Sequence, residues 1–484
     1  MEGISKEGTL LEVAKKKARE IALAYPPSTR FQILTNDFEA VHQRLISREE
    51  FFDAMDQLKI SPASRKLSEV IARQQEVFHN LNNTSKLDFI ISDFQESSAD
   101  FQACQADTGL HITLLPLVSQ SNTNLFVDSC WFSSPVVQLN HATELNVRLH
   151  NSGDKNADNV PVKLSVNGMQ RSVASIAVAA GTSATTVMNF TVSEPGWQKA
   201  EVSITDHPIT FDDSYYFSFE VKNKINIIAI NGNGISPYLK ALFGNDAFFG
   251  FNNASVSQVD YSLLPQQNFV VLNDLPSISS GLASELEKYL NSGGELLVFP
   301  DSSTDINSYN QFLQSIHADA ITGINNNTDR VEKLDRNHPL FKDVFEKSRN
   351  TESTIDYPVA LKHFDVSQTT RSNRQVLMKL QGGAPFLLQY SVGKGTVYLF
   401  TVPLKPGFSN LARHAVFVPA LYQMALLSAK QHDISFTLGA DDGMDLNQSN
   451  IASDETFHLV NTAKKFDVIP NHRVTANAKE GKRT

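Results

Sequence analysis

The chain has 484 residues, 41% hydrophobic and 19% charged, with a formal net charge of -10. That length divides into two to four domains, and the composition is globular, not disordered. The acidic balance argues against nucleic acid and anionic membrane as partners, and no basic run stands out to overturn it. Two cysteines, Cys104 and Cys130, are too few for a disulfide framework or a thiolate metal site. They read as two free thiols, with a single bridge in an oxidising compartment as the alternative. The longest apolar stretch, His414 to Ala429, is interrupted by Pro419 and Gln423 and falls short of the ~20 residues a bilayer needs. The opening MEGISKEGTLLEVAKKK has no apolar h-region, so the chain as written carries neither signal peptide nor anchor.

Leu10 to Tyr25 predicts an amphipathic helix, with Leu11, Ala14, Ala18, Ile21 and Tyr25 on one face and Lys15, Lys16, Lys17 and Arg19 opposite. A strand is expected at RFQILT (Arg30 to Thr35). Ser47 and Glu50 stand at capping-box spacing ahead of a second helix. A third helix is expected from Ser64, with Leu67, Val70, Ile71 and Phe78 as its buried stripe. The strands LDFIIS and HITLLPL (His111 to Leu117) follow. Strands alternating with helices, with continuous apolar runs in the strands, predict a parallel sheet covered on both faces.

RFQILTNDFEAVHQRLISREEF, ISPASRKLSEVIARQQ and LDFIISDFQ together resemble a von Willebrand factor A domain. They are closest to those of the membrane-anchored bacterial aerotolerance (Bat-type) proteins. The resemblance implies a divalent cation at the top of the sheet. It is held by an Asp-x-Ser-x-Ser loop after the first strand, a hydroxyl of a second loop and an Asp after a later strand. Hard oxygen ligands suit Mg²⁺. By motif position Asp93 matches the late Asp and Ser64 the second-loop hydroxyl. The first strand and its ligand loop should precede the Leu10 helix and do not. The expectation is therefore an incomplete von Willebrand A-like (Rossmann-type) α/β domain over residues 1–120. Its metal site is residual, Ser64 and Asp93, and would take Mg²⁺ only if the missing loop were restored. The bland reading of Asp93 is a polar residue that ends a buried strand.

From about residue 121 to 223 the period changes to two. Leu145, Val147 and Leu149 alternate with polar neighbours, as do Val160, Val162, Leu164 and Val166. Asn167-Gly168 is a type I′ hairpin signal. Further strands are expected in TTVMNFTV, KAEVSIT and SYYFSFEV, which makes a β-sandwich. The segment is similar to immunoglobulin-like repeats of extracytoplasmic bacterial proteins. Trp197 reads as packing, and Asp212 and Asp213 as turn caps and not calcium ligands.

Residues 224–435 return to α/β alternation, with strands at KINIIAING, NFVVLNDL and ELLVF and helices from Ser236 and through Leu282, Leu286 and Leu290. A hairpin is expected around Gly393-Lys394-Gly395, then a closing helix at His414 to Ala429, on a mostly parallel sheet. Asn231-Gly232-Asn233-Gly234 could cradle a phosphate, but it lacks the remaining residues of a dinucleotide fingerprint or a P-loop. LEKYLNSGGELLVFP resembles class I glutamine amidotransferase-like domains, which use a cysteine nucleophile paired with a histidine. No cysteine occurs here, and PDSST around Ser302 and Ser303 is not a serine elbow. His338, His363 and His414 have no nucleophile to serve. Residues 436–484 are expected to form a partial β-unit through ISFTLGADDG, ETFHLVN and FDVIP.

The order of these resemblances covers about nine tenths of the chain. It implies the periplasmic part of a membrane-anchored, non-enzymatic interaction or scaffold protein of the bacterial cell envelope, cut at both ends. The partners it implies are other von Willebrand A proteins of the same operon or a MoxR-type AAA+ ATPase. Membrane contact would come only through segments absent from this chain. The alternatives are a hydrolase or amidotransferase-like enzyme in residues 224–435, and metal-dependent adhesion through the first domain.

Overall fold

The structure is a computed structural model. It describes residues 3–39, 44–61, 63–79, 85–104, 109–119, 124–207, 209–341, 356–367, 373–429, 433–437, 446–447, 458–461, 466–469, 473–475 and 478–482. The chain divides into two compact units. One comprises Met1–Trp131, Glu144–Phe190 and Lys199–Phe217; the other comprises Phe132–Thr143, Thr191–Gln198 and Ser218–Thr484. No helix among the described residues is long and apolar enough to cross a membrane.

In the first unit α1 (Leu10–Ala24) starts at Thr9, whose hydroxyl accepts from the Glu12 N–H. The residues it buries are Leu10, Val13 and Ala22, with Ala14 and Ala18 beside them. The stripe is thus rotated by about one residue from the predicted Leu11–Ile21 line, because Leu10 and Val13 meet Leu117 and Ile91. α2 (Arg48–Gln57) begins with the expected capping box, Ser47 and Glu50 each satisfying the other's backbone N–H. The strand expected at Arg30 to Thr35 does not form. Phe31 exchanges two backbone hydrogen bonds with Ile46, 3.0 and 2.8 Å, and the ladder goes no further. Ile33 is buried in the small cluster of Ala22, Ile46, Phe51 and Met55, so the segment keeps its apolar role without strand partners.

α3 (Leu67–His79) begins three residues after Ser64. It leads to β1 (Lys86–Ser92) and β2 (Leu110–Pro116), which pair in parallel along their whole length, from Lys86↔Leu110 to Ser92↔Pro116. These two strands make a sheet of their own.

The middle segment is two antiparallel-dominated sheets. β3 (Leu125–Phe132), β4 (Val137–Gln138), β5 (Ala142–Asn151), β6 (Ala157–Val166), β7 (Met169–Val178), β8 (Ser183–Thr191), β9 (Gly196–Ser203) and β10 (Ser214–Lys222) order as β8-β5-β3 and β4-β10-β9-β6-β7. Period-two burial holds: Leu145, Val147, Leu149, Val162 and Leu164 are all fully buried, between exposed or half-buried neighbours. Asn167 and Gly168 both have positive φ, 50° and 77°, as the hairpin between β6 and β7 requires. β3, β4 and β7 are additions to the predicted set. Cys130 on β3 is buried and Cys104 half-buried, and both are free thiols.

In the second unit β11 (Ile225–Asn231), β12 (Phe249–Ser255), β13 (Phe269–Leu275), β14 (Glu295–Pro300), β16 (Asp329–Leu334), β17 (Val359–Ala360), β19 (Arg374–Leu380), β20 (Pro385–Val392) and β21 (Gly395–Phe400) form one nine-stranded sheet. Its order is β12-β11-β13-β14-β21-β20-β19-β16-β17. The first five strands are mutually parallel; from β21 onward every pairing is antiparallel. The expected mostly parallel sheet is therefore parallel over only half its width, because tight hairpins reverse the chain there. β15 (Ile321–Asn325) and β18 (His363–Val366) pair separately.

Alternate residues of β11 face opposite layers. Ile227 and Ala229 join α4 (Pro237–Phe243) and α7 (Phe417–Leu427) in one core. Ile228 and Ile230 join α5 (Ser280–Asn291) and α6 (Ile306–Ser315) in the other. Continuous apolar strands covered on both faces follow directly from this arrangement. In the tail Leu459–Asn461 pairs with Phe466–Val468, and Arg473–Thr475 with Ala478–Lys482. Most of the expected ISFTLGADDG strand falls outside the described residues.

Candidate functional site

The parallel half of the second unit's sheet runs β11, then β12 on one side, then β13 on the other. Adjacent crossovers leave β11 in opposite directions, and at such a switch point an open α/β sheet presents the carboxyl ends of its strands to ligands. The polar residues of the unit converge there.

β11 ends at Asn231, and Asn273 and Asp274 lie just before the last residue of β13. The Asn273 amide donates to Asn231 Oδ1 at 3.0 Å, and Asn231 Nδ2 donates in turn to Asn253 Oδ1 of β12 at 3.2 Å. Asp274 sits on a bulge, where the register of β13 against β14 slips between Asn273 and Leu275, and its φ is +59°. A non-glycine residue rarely takes that conformation, and the bulge redirects its side chain across the strand ends. Gly232 makes the approach possible. A Cβ there would lie 2.2 Å from the Asp274 carbonyl oxygen.

Asp301 follows β14 directly, its side chain 1% exposed. Its Oδ2 accepts from Ser303 Oγ at 2.7 Å and Asn233 Nδ2 at 3.2 Å, and its Oδ1 accepts from Ser302 Oγ at 3.1 Å. Lys405, from the loop after β21, reaches over both carboxylates. Its Nζ is 2.6 Å from Asp301 Oδ1, 2.7 Å from Asp274 Oδ1 and 3.0 Å from Ser302 Oγ.

Burial, followed by the hydrogen bond it shares with Asp301, raises the Asp274 pKa above the usual carboxylate range. Burial pushes Asp301 the same way, but hydrogen bonds from Asp274, Lys405 and Ser303 outweigh it and hold Asp301 below that range. Burial would lower Lys405, and the two carboxylates reverse this and raise it. The result is a protonated lysine clamped between two acids.

A serine nucleophile needs a base able to take its proton. Ser302 receives a hydrogen bond from an ammonium and gives its own proton to Asp301, a weak base. The histidines lie elsewhere. His338 Nδ1 accepts from the Leu340 N–H at 3.2 Å, and its pKa is lowered by burial. His414 Nδ1 accepts from the Val416 N–H at 3.2 Å, and its Nε2 is 3.4 Å from Asp356. His363 is 2% exposed, with Nε2 3.4 Å from Asp365. Among the described residues no hydrogen bond or ion pair links any of the three to Asp274, Asp301, Ser302 or Lys405. The phosphate reading of Asn231–Gly234 loses its helix as well, since α4 is seven residues long. Asn231 and Asn233 are committed to the amide row and to Asp301.

In the first unit Ser64 is exposed on the loop before α3, and Asp93 is half-buried just after β1. Asp93 accepts from Gln95 Nε2 at 2.9 Å and from Ser92 Oγ at 3.4 Å. The carboxylate that meets the start of α3 is Asp100. It accepts from the Ser68 N–H at 2.9 Å and the Ser68 hydroxyl at 2.5 Å, and these bonds lower its pKa. Two protein oxygens could hold Mg²⁺ only with water or further ligands completing its octahedral shell. Among the described residues no group of three or more His, Cys, Asp or Glu side chains is placed to hold a metal.

Residues 122–208 match the CARDB family. The matched stretch contains β3 to β9, so an immunoglobulin-like CARDB domain occupies the middle of the chain. Solved structures similar to the chain include a CARDB domain from Pyrococcus furiosus described in complex with di-metal ions. It is 16% identical, covers 20% of this chain and 93% of that one, and has a TM-score of 0.19. A putative ThuA-like protein from Bacteroides uniformis is 14% identical over 41% of this chain and 91% of that one, TM-score 0.31. A cytoplasmic protein from Salmonella typhimurium is 12% identical over 42% and 97%, TM-score 0.33. No curated relative matches the chain.

Proposed function

We propose that this chain is a non-enzymatic interaction module of a bacterial cell-envelope complex. The observation that carries the reading is the clamp of Lys405 on Asp274 and Asp301. Where an amidotransferase-like sheet would display its reacting groups, each side chain here is paired internally. A CARDB domain, of a cell-surface type, at residues 122–208 supports an extracytoplasmic setting, which we take to be the periplasm. The sequence resemblance to aerotolerance-type von Willebrand A proteins adds the expected partners, a MoxR-type AAA+ ATPase or sister proteins of the same operon. The test is interferometry with the immobilised chain against the purified ATPase and each sister protein. Saturable binding that survives a change of tag supports the reading; no binding to any of them overturns the partner assignment.

One observation favours a second reading. Ser302 Oγ lies 3.0 Å from an amine, Lys405 Nζ, which in a neutral state could serve as its base. A fluorophosphonate probe decides the matter. Labelling that disappears in Ser302→Ala would establish a hydrolase, whereas an unlabelled protein supports the interaction module.

A further inference from the structure

We propose that the Phe94–Phe101 aromatic pair, on the loop that follows β1, anchors an arginine-bearing segment of a partner protein. The inference rests on the reading of the chain as an interaction module and adds a surface and the partner's chemistry. The two rings stand 5.9 Å apart at 36° to each other. Phe94 is half-buried, and Phe101, in the short helical turn Phe101–Ala103, is 51% exposed. A large ring left in solvent acts as an anchor when its loop is held in place by other groups. That holds here. The Leu67 N–H donates to the Ser98 carbonyl at 2.8 Å, and Lys66 Nζ donates to the Ser97 carbonyl at 2.6 Å. Asp100 takes both donors of Ser68, at 2.9 and 2.5 Å. None of these bonds involves the Phe101 ring, so the loop keeps its shape without it.

The occupant follows from what the surface lacks. Elsewhere in the same unit Arg65 lies over the Phe38 ring, 4.8 Å from its centroid. Phe38 and Phe94 share a backbone oddity, φ of 51° and 45°, whereas the other non-glycine residues with positive φ are Asn, Asp or His. Phe38 has its guanidinium; among the described residues no cation lies over Phe94 or Phe101. Residues 93–104 carry the acids Asp93, Glu96 and Asp100 and no Lys, Arg or His. Lys66, which does reach the loop, is committed to the Ser97 carbonyl. An incoming arginine meets both needs, stacking its planar group on the rings while the carboxylates hold its charge. A lysine, compact and strongly hydrated, gains less from the rings.

Fluorescence anisotropy on the full chain tests this with a labelled peptide of alternating Arg and Gly, beside its Lys-Gly and Leu-Gly counterparts. The Arg peptide should bind at least about fivefold more tightly than the Lys peptide, and the Leu peptide more weakly than either. Phe101→Ala should weaken the Arg peptide by about tenfold. Phe211→Ala, which removes a 77% exposed ring elsewhere in the unit, should leave binding unchanged. Glu96→Lys touches neither ring and reverses an exposed charge, so it reports on the same surface should Phe101→Ala fold poorly; a loss of about fivefold is expected. Equal binding of the Arg and Lys peptides would mean that charge alone is read. Tighter binding of the Leu peptide would mean an apolar occupant, and indifference to both Phe101→Ala and Glu96→Lys would place the contact elsewhere. Each of these, or no binding of the Arg peptide, overturns the proposal. Because the peptides probe this loop and not the ATPase or sister proteins, the test can fail while the interaction reading stands, and the reverse.

Discussion

β1 in the first unit and β11 in the second are both seven-residue strands with apolar runs, and both pair in parallel. Their environments diverge. In KLDFIIS only Asp88 is buried, and Phe89, Ile90 and Ile91 remain half-exposed. In INIIAIN every residue but Asn226 is buried. The difference lies in the neighbours. β11 has a strand on each side and a helical layer on each face, whereas among the described residues β1 has β2 alone. An apolar strand records its suitability for a sheet interior, and the number of strands beside it decides how much of that is realised.

Truncation at the sheet core is the sharpest way to probe the contrast. Phe299, fully buried and stacked on Phe400 at 4.9 Å, should lose about 3–5 kcal/mol on Phe299→Ala in urea denaturation. Gly232→Ala comes next, because its Cβ would collide with the Asp274 backbone. We expect a loss of about 1–3 kcal/mol and, by hydrogen exchange, a disturbance centred on the ends of β11 and β13. In the first unit, half-buried Ile91→Ala should cost only about 1 kcal/mol. A loss there equal to that of Phe299→Ala would erase the distinction between the two strands.

The smallest effect concerns pH. Burial lowers the His338 pKa, so the stability it contributes is present above its ordinary range and is lost as pH falls through the folded value. Between pH 7 and 5 the wild-type urea midpoint should fall more than that of His338→Gln. Parallel curves would show that the imidazole takes up its proton equally in the folded and unfolded states. Thiol labelling sharpens the picture of the first unit. Burial pushes Cys130 up to about 12, so at pH 8 Cys104 should react with a disulfide reagent well before Cys130.

Local signals were legible where the chain satisfies itself within a few residues. The Ser47–Glu50 capping box, the Asn167-Gly168 hairpin, the Ser236 cap and the strands β11, β13 and β14 follow from short-range rules. The strand expected at Arg30 to Thr35 had the right composition, but pairing is a property of two segments and only Ile46 answered it. β7 was overlooked because its Ser- and Ala-rich face gives a weak alternation. The polar cluster was the least visible part. Lys405 is 104 residues from Asp301, and Asp274 joins it only because a bulge turns its side chain. The one local trace was Gly232, whose absent side chain marks a close approach of backbone that the sequence does not locate.

The amide row at the ends of β11, β12 and β13 bears on how the sheet is assembled. Asn231 and Asn273 are almost wholly buried, and each side chain meets its neighbour only when the three strands stand in one alignment. Apolar residues tolerate a shift along the strand, since one buried Val or Ile substitutes for another. Buried amides do not, because a displaced one loses its partner without regaining water. The row therefore works as a set of alignment pins. It adds little to the depth of the native minimum, and it raises the energy of the misregistered sheets that a nine-stranded chain could otherwise sample while folding.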